Sequence, residues 1–389
     1  VPGHSADIDS GIGNEREGRS NMAIFNRREF LTSLAGGAGF TLCQRELKGS
    51  SKVSLNEARY YQKLTDQCVQ CTLCPWRCVV KPGDRGHCDV RMNKGGNYYT
   101  LVYGQVAAHH EDPIEKKPFY HFFPGSLAFS IATAGCNVDC KFCQNADLAQ
   151  RKPEDLQSID LAPEKVVQYA ISAGCQSIAF TYNEPIVFIE YILDIAALAR
   201  EQGLKSVMIS NGYINSEPLK DLCGVIDAYK VDLKAFTEDY YQQIVGAHLQ
   251  PVLNTLITLR RENIWTEIVY LVVPTLNDDP DSLKALSKWI LQELGPDVPL
   301  HFSRFYPQYK LRNLPPTPVS TLENAVNIGR DAGLHYVYLG NVSGHVDENT
   351  LCPFCHEMLI RRTGYEIISN YIEESVCPFC REKIAGVWS

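Results

Sequence analysis

The stretch "LAFSIATAGCNVDCKFCQN", residues 127–145, runs from a short apolar segment straight into three cysteines spaced C-x3-C-x2-C. Residues 127–133 carry the nearly unbroken apolar pattern of a strand covered on both faces. Cys136, Cys140 and Cys143 then fall in the loop that follows. A closed zinc site or a fully ligated iron–sulfur cluster takes four protein ligands. Three thiols within eight residues leave a coordination position open for chemistry. The competing reading is a zinc or disulfide knuckle whose fourth ligand comes from elsewhere in the chain.

Working outward, "SIAFTY", "SVMISN", "AYKVDLK", "TEIVYLVVP", "LHFSRF" and "YVYLG" repeat the buried-strand pattern. Between them lie helical stretches such as "APEKVVQYAISAG", "PIVFIEYILDIAALAREQG", "TEDYYQQIVG" and "DPDSLKALSKWILQELG". This alternation predicts an α/β fold with a parallel sheet, either a barrel or a doubly wound sheet. No G-x-G-x-x-G follows the first strand, which weighs against dinucleotide binding. In a parallel barrel, functional side chains gather at the C-terminal ends of the strands. The three-cysteine loop emerges on that face.

The 389 residues are 45% hydrophobic and 21% charged, a globular balance. A net charge of −8 argues against a general nucleic-acid binder. No run of 18 apolar residues offers a transmembrane helix. The fifteen cysteines are mostly clustered: Cys68, Cys71, Cys74, Cys78 and Cys88; then the loop triplet; then Cys352, Cys355, Cys377 and Cys380. Tight repeated spacings point to metal thiolates and not to a secreted disulfide framework. At the N-terminus, Arg27 and Arg28 precede a Gly-rich, modestly apolar run ending at Cys43, similar to a twin-arginine export signal. Residues 1–60 are therefore expected to be a leader, with Met22 as a later possible start. Export to the periplasm or the membrane surface is the expectation, a cytoplasmic chain with a basic leader the alternative.

The C-x3-C-x2-C loop after a first barrel strand resembles the radical S-adenosylmethionine (SAM) superfamily. That resemblance implies a partial (β/α)6-type TIM barrel, with Cys136, Cys140 and Cys143 holding three irons of a [4Fe–4S] cluster. The amino and carboxylate groups of SAM would take the fourth iron, and Phe142 would lie against the adenine. "TYNEP" is similar to the family's segment for the SAM amino group, giving Asn183 and Glu184. The plainer reading is a cap on the helix opening at Pro185. "ISNGY" gives Ser210 and Asn211 for the ribose and carboxylate. "KVDLKAF" gives Asp232 and Lys234, or else a salt bridge at the barrel mouth.

More narrowly, "CTLCPWRCVVKPGDRGHCDVR", "DPIEKKPFYHFFPGS" and a terminal C-P-x-C pair resemble the AmmeMemoRadiSam-system enzymes, homologues of pyruvate formate-lyase activating enzymes. The implied layout is a Cys-rich extension over residues 61–126, the barrel over 127–340, and a zinc-ribbon-like lobe over 341–389. Cys352, Cys355, Cys377 and Cys380 would hold zinc or a second cluster. Cys71, Cys74, Cys78 and Cys88 form a further candidate metal site. With Cys68 included the spacing becomes ferredoxin-like, but without the following Pro. The histidine and lysines of "DPIEKKPFYHFFPGS" either line the substrate mouth or belong to a plain connector.

The implied activity is reductive cleavage of SAM to a 5′-deoxyadenosyl radical that abstracts hydrogen from a substrate, an oxidoreductase-like reaction. The alternatives are a glycyl-radical-enzyme activase and a non-catalytic electron-transfer or structural metal protein. A passive ferredoxin would not need Glu184, Ser210, Asp232 and Lys234. Implied partners are a flavodoxin- or ferredoxin-type donor, Memo-like and AMMECR-type proteins, and, for an activase, a glycyl-radical enzyme.

Overall fold

Parallel strands laid side by side in chain order send every strand-to-helix loop to the same end of the sheet. The structure, a computed structural model, describes residues 53–388; Arg27, Arg28 and Cys43 lie outside them, whereas residues 53–60 of the expected leader belong to the fold, with Asn56 and Glu57 paired to Thr100 and Tyr99. The sheet comprises β1 (Ala108–Pro113), β2 (Leu127–Ala132), β3 (Ser177–Phe180), β4 (Lys205–Ser210), β5 (Ala228–Asp232), β6 (Trp265–Val272), β7 (Leu300–Arg304) and β8 (Val337–Gly340). Each pairs only with its sequence neighbours. β1 is antiparallel to β2, in the register Asp112↔Ala128, and the other pairings are parallel. The edges β1 and β8 stay apart, so this is an open, partial barrel. Its seven parallel strands are the seven apolar runs of the sequence, "YVYLG" being β8, one more than the (β/α)6 count that the resemblance implies.

Helices cover the sheet: α1 (Pro163–Ser172), α2 (Ile189–Glu201), α3 (Ser216–Cys223), α4 (Leu249–Arg261), α5 (Pro280–Glu293) and α6 (Val319–Asp331). Their apolar residues recur at helical spacing. Leu283, Leu286 and Ile290 of α5 are buried, as are Leu322, Ala325 and Val326 of α6. Each large side chain so buried contributes about 1.5–3 kcal/mol. At the start of α5, Asp279 accepts from the Ser282 backbone N–H at 2.9 Å, and Pro280 takes the first helical position.

One expected helix is built differently. "TEDYYQQIVG" forms a single turn, Glu238–Tyr240, and then a widened π turn, Tyr241–Val245. The packing helix is α4, which follows it. This turn meets the cysteine loop: the carbonyls of Val245 and Ile244 accept from the Asp139 and Lys141 N–H groups, both at 2.9 Å. A π turn inside a helical segment commonly marks a functional position.

The "DPIEKKPFYHFFPGS" segment seals the opposite end. Phe119 and Phe122 pack against Ala128, Ala179, Val207 and Ala228, which lie at or near the starts of β2–β5. The Glu267 carboxylate, fully buried near the start of β6, accepts from the Tyr120 and His121 N–H groups and from His301 Nε2 at 2.7 Å. His121 Nδ1 donates to the Ala385 carbonyl, and its Nε2 accepts from Tyr338 Oη, both at 2.6 Å. Burial pushes this imidazole down to about 4 and so keeps it neutral. The histidine belongs to the base of the barrel, not to a substrate mouth.

The same base receives the C-terminal strands β9 (Thr350–Leu351), β10 (Met358–Thr363) and β11 (Glu366–Asn370). Tyr120, Tyr336 and Tyr338 share an apolar cluster with Leu359, Ile360, Cys352 and Cys377. Arg362 of β10 donates to the Tyr120 carbonyl at 2.8 Å and lies over the Tyr120 ring. On the other side of the barrel, short antiparallel ribbons within residues 56–100 bear the N-terminal cysteines.

Candidate active site

The cysteine loop is held by its backbone from many directions. Asn183, at the end of β3, donates through Nδ2 to the Ala134 and Gly135 carbonyls at 3.1 and 2.9 Å, while its Oδ1 accepts from Thr133 N. Asn137 Nδ2 donates to the Tyr213 carbonyl and Trp76 Nε1 to the Asn137 carbonyl, both at 2.8 Å. Lys310 N reaches the Lys141 carbonyl at 2.9 Å. Gly135 sits at φ 88°, where a Cβ would lie 2.5 Å from Val90 Cγ1 and 2.8 Å from the Cys88 carbonyl. Only glycine tolerates both the conformation and that approach.

Cys140 is buried, while Cys136 and Cys143 are partly so. Burial raises all three thiols, Cys140 to about 12, with Glu184 adding to the rise at Cys136. Without metal these groups are held as neutral thiols. Among the described residues, three or more donors lie within 4.8 Å of one another only at Cys352, Cys355, Cys377 and Cys380. The loop thiols are thus spread wider than ligands of one ion. That suits a cluster, in which each thiolate takes its own iron.

Around the loop stand the strand ends. Glu184 Oε1 accepts from Ser210 Oγ at 2.7 Å and from Ile186 N at 3.1 Å, and Oε2 accepts from Asn211 N at 2.8 Å. The cap reading and the site reading therefore describe the same carboxylate. Burial lifts Glu184 to about 7 against the pull of those donors. Ser210 Oγ in turn accepts from Tyr229 Oη at 2.8 Å. Asn211 Nδ2 donates to Asn137 Oδ1 at 2.9 Å and reaches Cys136 Sγ at 4.0 Å. Asn183 faces the loop backbone with its whole amide, so of this group it is the residue turned to positioning.

Along β5 and just beyond it, Lys230, Asp232 and Lys234 alternate onto one face. Asp232 bridges Lys230 and, at 3.1 Å, Lys234. Burial would raise Asp232, yet the two ammonium groups outweigh it and hold the carboxyl at about 2. Lys234 Nζ stands 6.0 Å from the Phe142 ring centroid, and Tyr240 flanks that ring at 6.2 Å. The expected salt bridge is present, and it joins the wall facing the cysteines.

A second polar group includes Asp112 and Lys117 of "DPIEKKPFYHFFPGS", the segment whose lysines the sequence offered either for a substrate mouth or for a plain connector. Lys117, almost wholly buried, pairs with Asp112 at 2.5 Å and lies 3.3 Å from Tyr182 Oη, which also donates to Asp112. Desolvation lowers the Lys117 ammonium to about 8. Tyr182 belongs to "TYNEP" and takes a left-handed backbone, φ 67°. Such a conformation is uncommon for a bulky residue.

Comparison with known sequences identifies the class. The model of the radical SAM superfamily matches residues 130–286. An uncharacterized protein of Methanocaldococcus jannaschii is 44% identical over 332 residues, 85% of this chain and 99% of the relative. The chain belongs to the radical SAM superfamily, whose members use a [4Fe–4S] cluster and SAM. Pyruvate formate-lyase 1-activating enzyme of Escherichia coli is 26% identical over 170 residues, 43% of this chain and 69% of the enzyme. A radical SAM methyltransferase from Sphaerobacter thermophilus aligns at 14% identity and a TM-score of 0.46, over 77% of this chain and 81% of that one.

Proposed function

We propose that the chain abstracts hydrogen from a substrate held inside the open barrel, with the cluster on Cys136, Cys140 and Cys143 and SAM against Glu184, Ser210, Asn211, Asp232, Lys234 and Phe142. When bound, cluster and cosubstrate supply reductive cleavage of the sulfonium, which yields methionine and a 5′-deoxyadenosyl radical. The chain's own contribution is placement. Glu184, ionised, offers a buried charge to the methionyl ammonium, and Ser210 and the Asn211 N–H fix its direction. Lys234 balances negative charge beside Cys140 and Cys143. Asp112, Lys117 and Tyr182 supply polar groups for a substrate. The observation that carries this reading is the Glu184 carboxylate, clamped by Ser210 Oγ and the Asn211 N–H, with Asn211 Nδ2 in turn reaching Cys136 Sγ at 4.0 Å. Anaerobically reconstituted protein should show a reduced-cluster EPR signal that changes on addition of SAM. A signal indifferent to SAM would count against the assignment.

An activase for a glycyl-radical enzyme is the second reading, favoured by the Asp232–Lys234 pair and the similarity to the Escherichia coli enzyme. Electron supply by a flavodoxin- or ferredoxin-type donor fits either reading. Memo-like and AMMECR-type partners, implied by the narrower resemblance, stand as part of the proposal.

For the C-terminal lobe we propose zinc. Cys352 and Cys380 Sγ lie 3.6 Å apart, and Cys355 and Cys377 Sγ 3.7 Å. Tetrahedral thiolates about 2.3 Å from one zinc are separated by about 3.8 Å. The site packs on the barrel base, remote from the strand-end loops. That position suits a structural metal.

A further inference from the structure

We propose that Cys71, Cys74, Cys78 and Cys88 bind a second [4Fe–4S] cluster, set directly behind the radical SAM loop. The four thiols line one small cavity together with Gly86, His87, Arg91, Tyr98 and Asn137. Cys68 does not line it. The ligand set is therefore C-x2-C-x3-C-x9-C, and the ferredoxin-like frame that includes Cys68 is not the one the fold assembles.

Two observations support a cluster at this site. First, these thiols are not gathered within 4.8 Å of one another, whereas the C-terminal four in the same chain are. Thiolates on separate irons stand further apart than thiolates on one zinc. Second, two donors on the cavity wall, Tyr98 Oη and Arg91 Nε, have no acceptor among the described residues. Both residues are fully buried, and an unpartnered buried donor costs about 1–3 kcal/mol. Bridging sulfides and thiolates are the acceptors that would satisfy them. The His87 N–H already points at Cys78 Sγ, 3.4 Å away.

The Arg91 guanidinium, paired with buried Glu190, also places a cation beside the thiolates. Asn137, bonded in the chain to Cys136, lines this cavity, and Trp76 stacks on His87 while donating to the Asn137 carbonyl. The two cysteine sites share a wall.

This site is separable from SAM chemistry, so its test starts from the chain carrying Cys136→Ala, Cys140→Ala and Cys143→Ala. After anaerobic reconstitution with iron and sulfide, that chain should retain about four irons and four sulfides, with a reduced EPR signal that SAM does not alter. Adding Cys74→Ala and Cys88→Ala should remove this iron, with circular dichroism and the C-terminal metal reporting that the chain is folded. In a chain that keeps all four thiols, Tyr98→Phe should leave the iron count unchanged and shift the potential negative, because hydrogen bonds to the sulfurs tune it. The proposal is overturned if the triple variant holds no iron or holds zinc at these thiols. It is equally overturned if the iron departs with Cys352→Ala and Cys377→Ala instead, or if Tyr98→Phe leaves the potential unmoved.

Discussion

Glu184 Oε2 accepts the Asn211 backbone N–H at 2.8 Å, tying the end of β3 to the end of β4 beside the cysteine loop. Because Ser210 Oγ and Ile186 N hold the other oxygen, the carboxylate has one fixed orientation. Glu184→Gln keeps the shape and removes the charge. SAM binding should weaken by about 1.5–3 kcal/mol, the scale of a hydrogen bond to a charged group. Cluster content should not change. Anaerobic equilibrium binding checks this, and unaltered affinity would leave Glu184 as a helix cap alone.

The same residue sets a pH dependence. Its folded pKa is raised to about 7, so the charged form that attracts the methionyl ammonium is depleted as the pH falls through that value. SAM affinity should therefore be greatest above about pH 7 and decline below it, by up to about tenfold per unit. In Glu184→Gln the profile over that range should be flat.

At the barrel base, Glu267→Ala would strand the Tyr120 and His121 N–H groups and leave His301 without its acceptor. Removing one partner from such a buried set costs about 3–5 kcal/mol, read from the denaturant midpoint. Burial would raise Glu267, but His301 outweighs it and holds the carboxyl below its ordinary value. Its contribution is thus present above the usual carboxylate range and lost as the pH falls. SAM cleavage per folded chain should persist, since the residue lies at the opposite end from the cysteine loop.

Chelation of the C-terminal metal should release about one zinc per chain. It should also make residues 341–388 protease-sensitive while leaving SAM cleavage largely intact. Release of iron in place of zinc would assign a cluster, and with it an electron-transfer role, to this lobe.

How much of this was legible in the sequence depends on whether a residue's partners are local. The loop cysteines declared themselves by spacing, and the strands by apolar runs. Lys230 was missed although a signal was there, since Lys230, Asp232 and Lys234 alternate in an otherwise apolar segment. Glu267 carried a similar signal, a lone carboxylate within "TEIVYLVVP". The role of Asn183 was not readable, since its partners lie some 50 residues away and only the β2–β3 pairing brings them near. Nothing local told His121 at the base from a histidine at the mouth. The π turn after Glu238–Tyr240 likewise has distant partners, bonding the cysteine loop through the Ile244 and Val245 carbonyls.

The most direct test of the central claim is 5′-deoxyadenosine formation from SAM under strong one-electron reduction. The wild-type chain is compared with the Cys136→Ala, Cys140→Ala, Cys143→Ala variant. Wild-type protein should produce it and the variant should not, even though the variant keeps the iron assigned to Cys71, Cys74, Cys78 and Cys88. Product formation by the variant, or none by fully reconstituted wild-type protein, would contradict the assignment of this loop as the SAM-cleaving site.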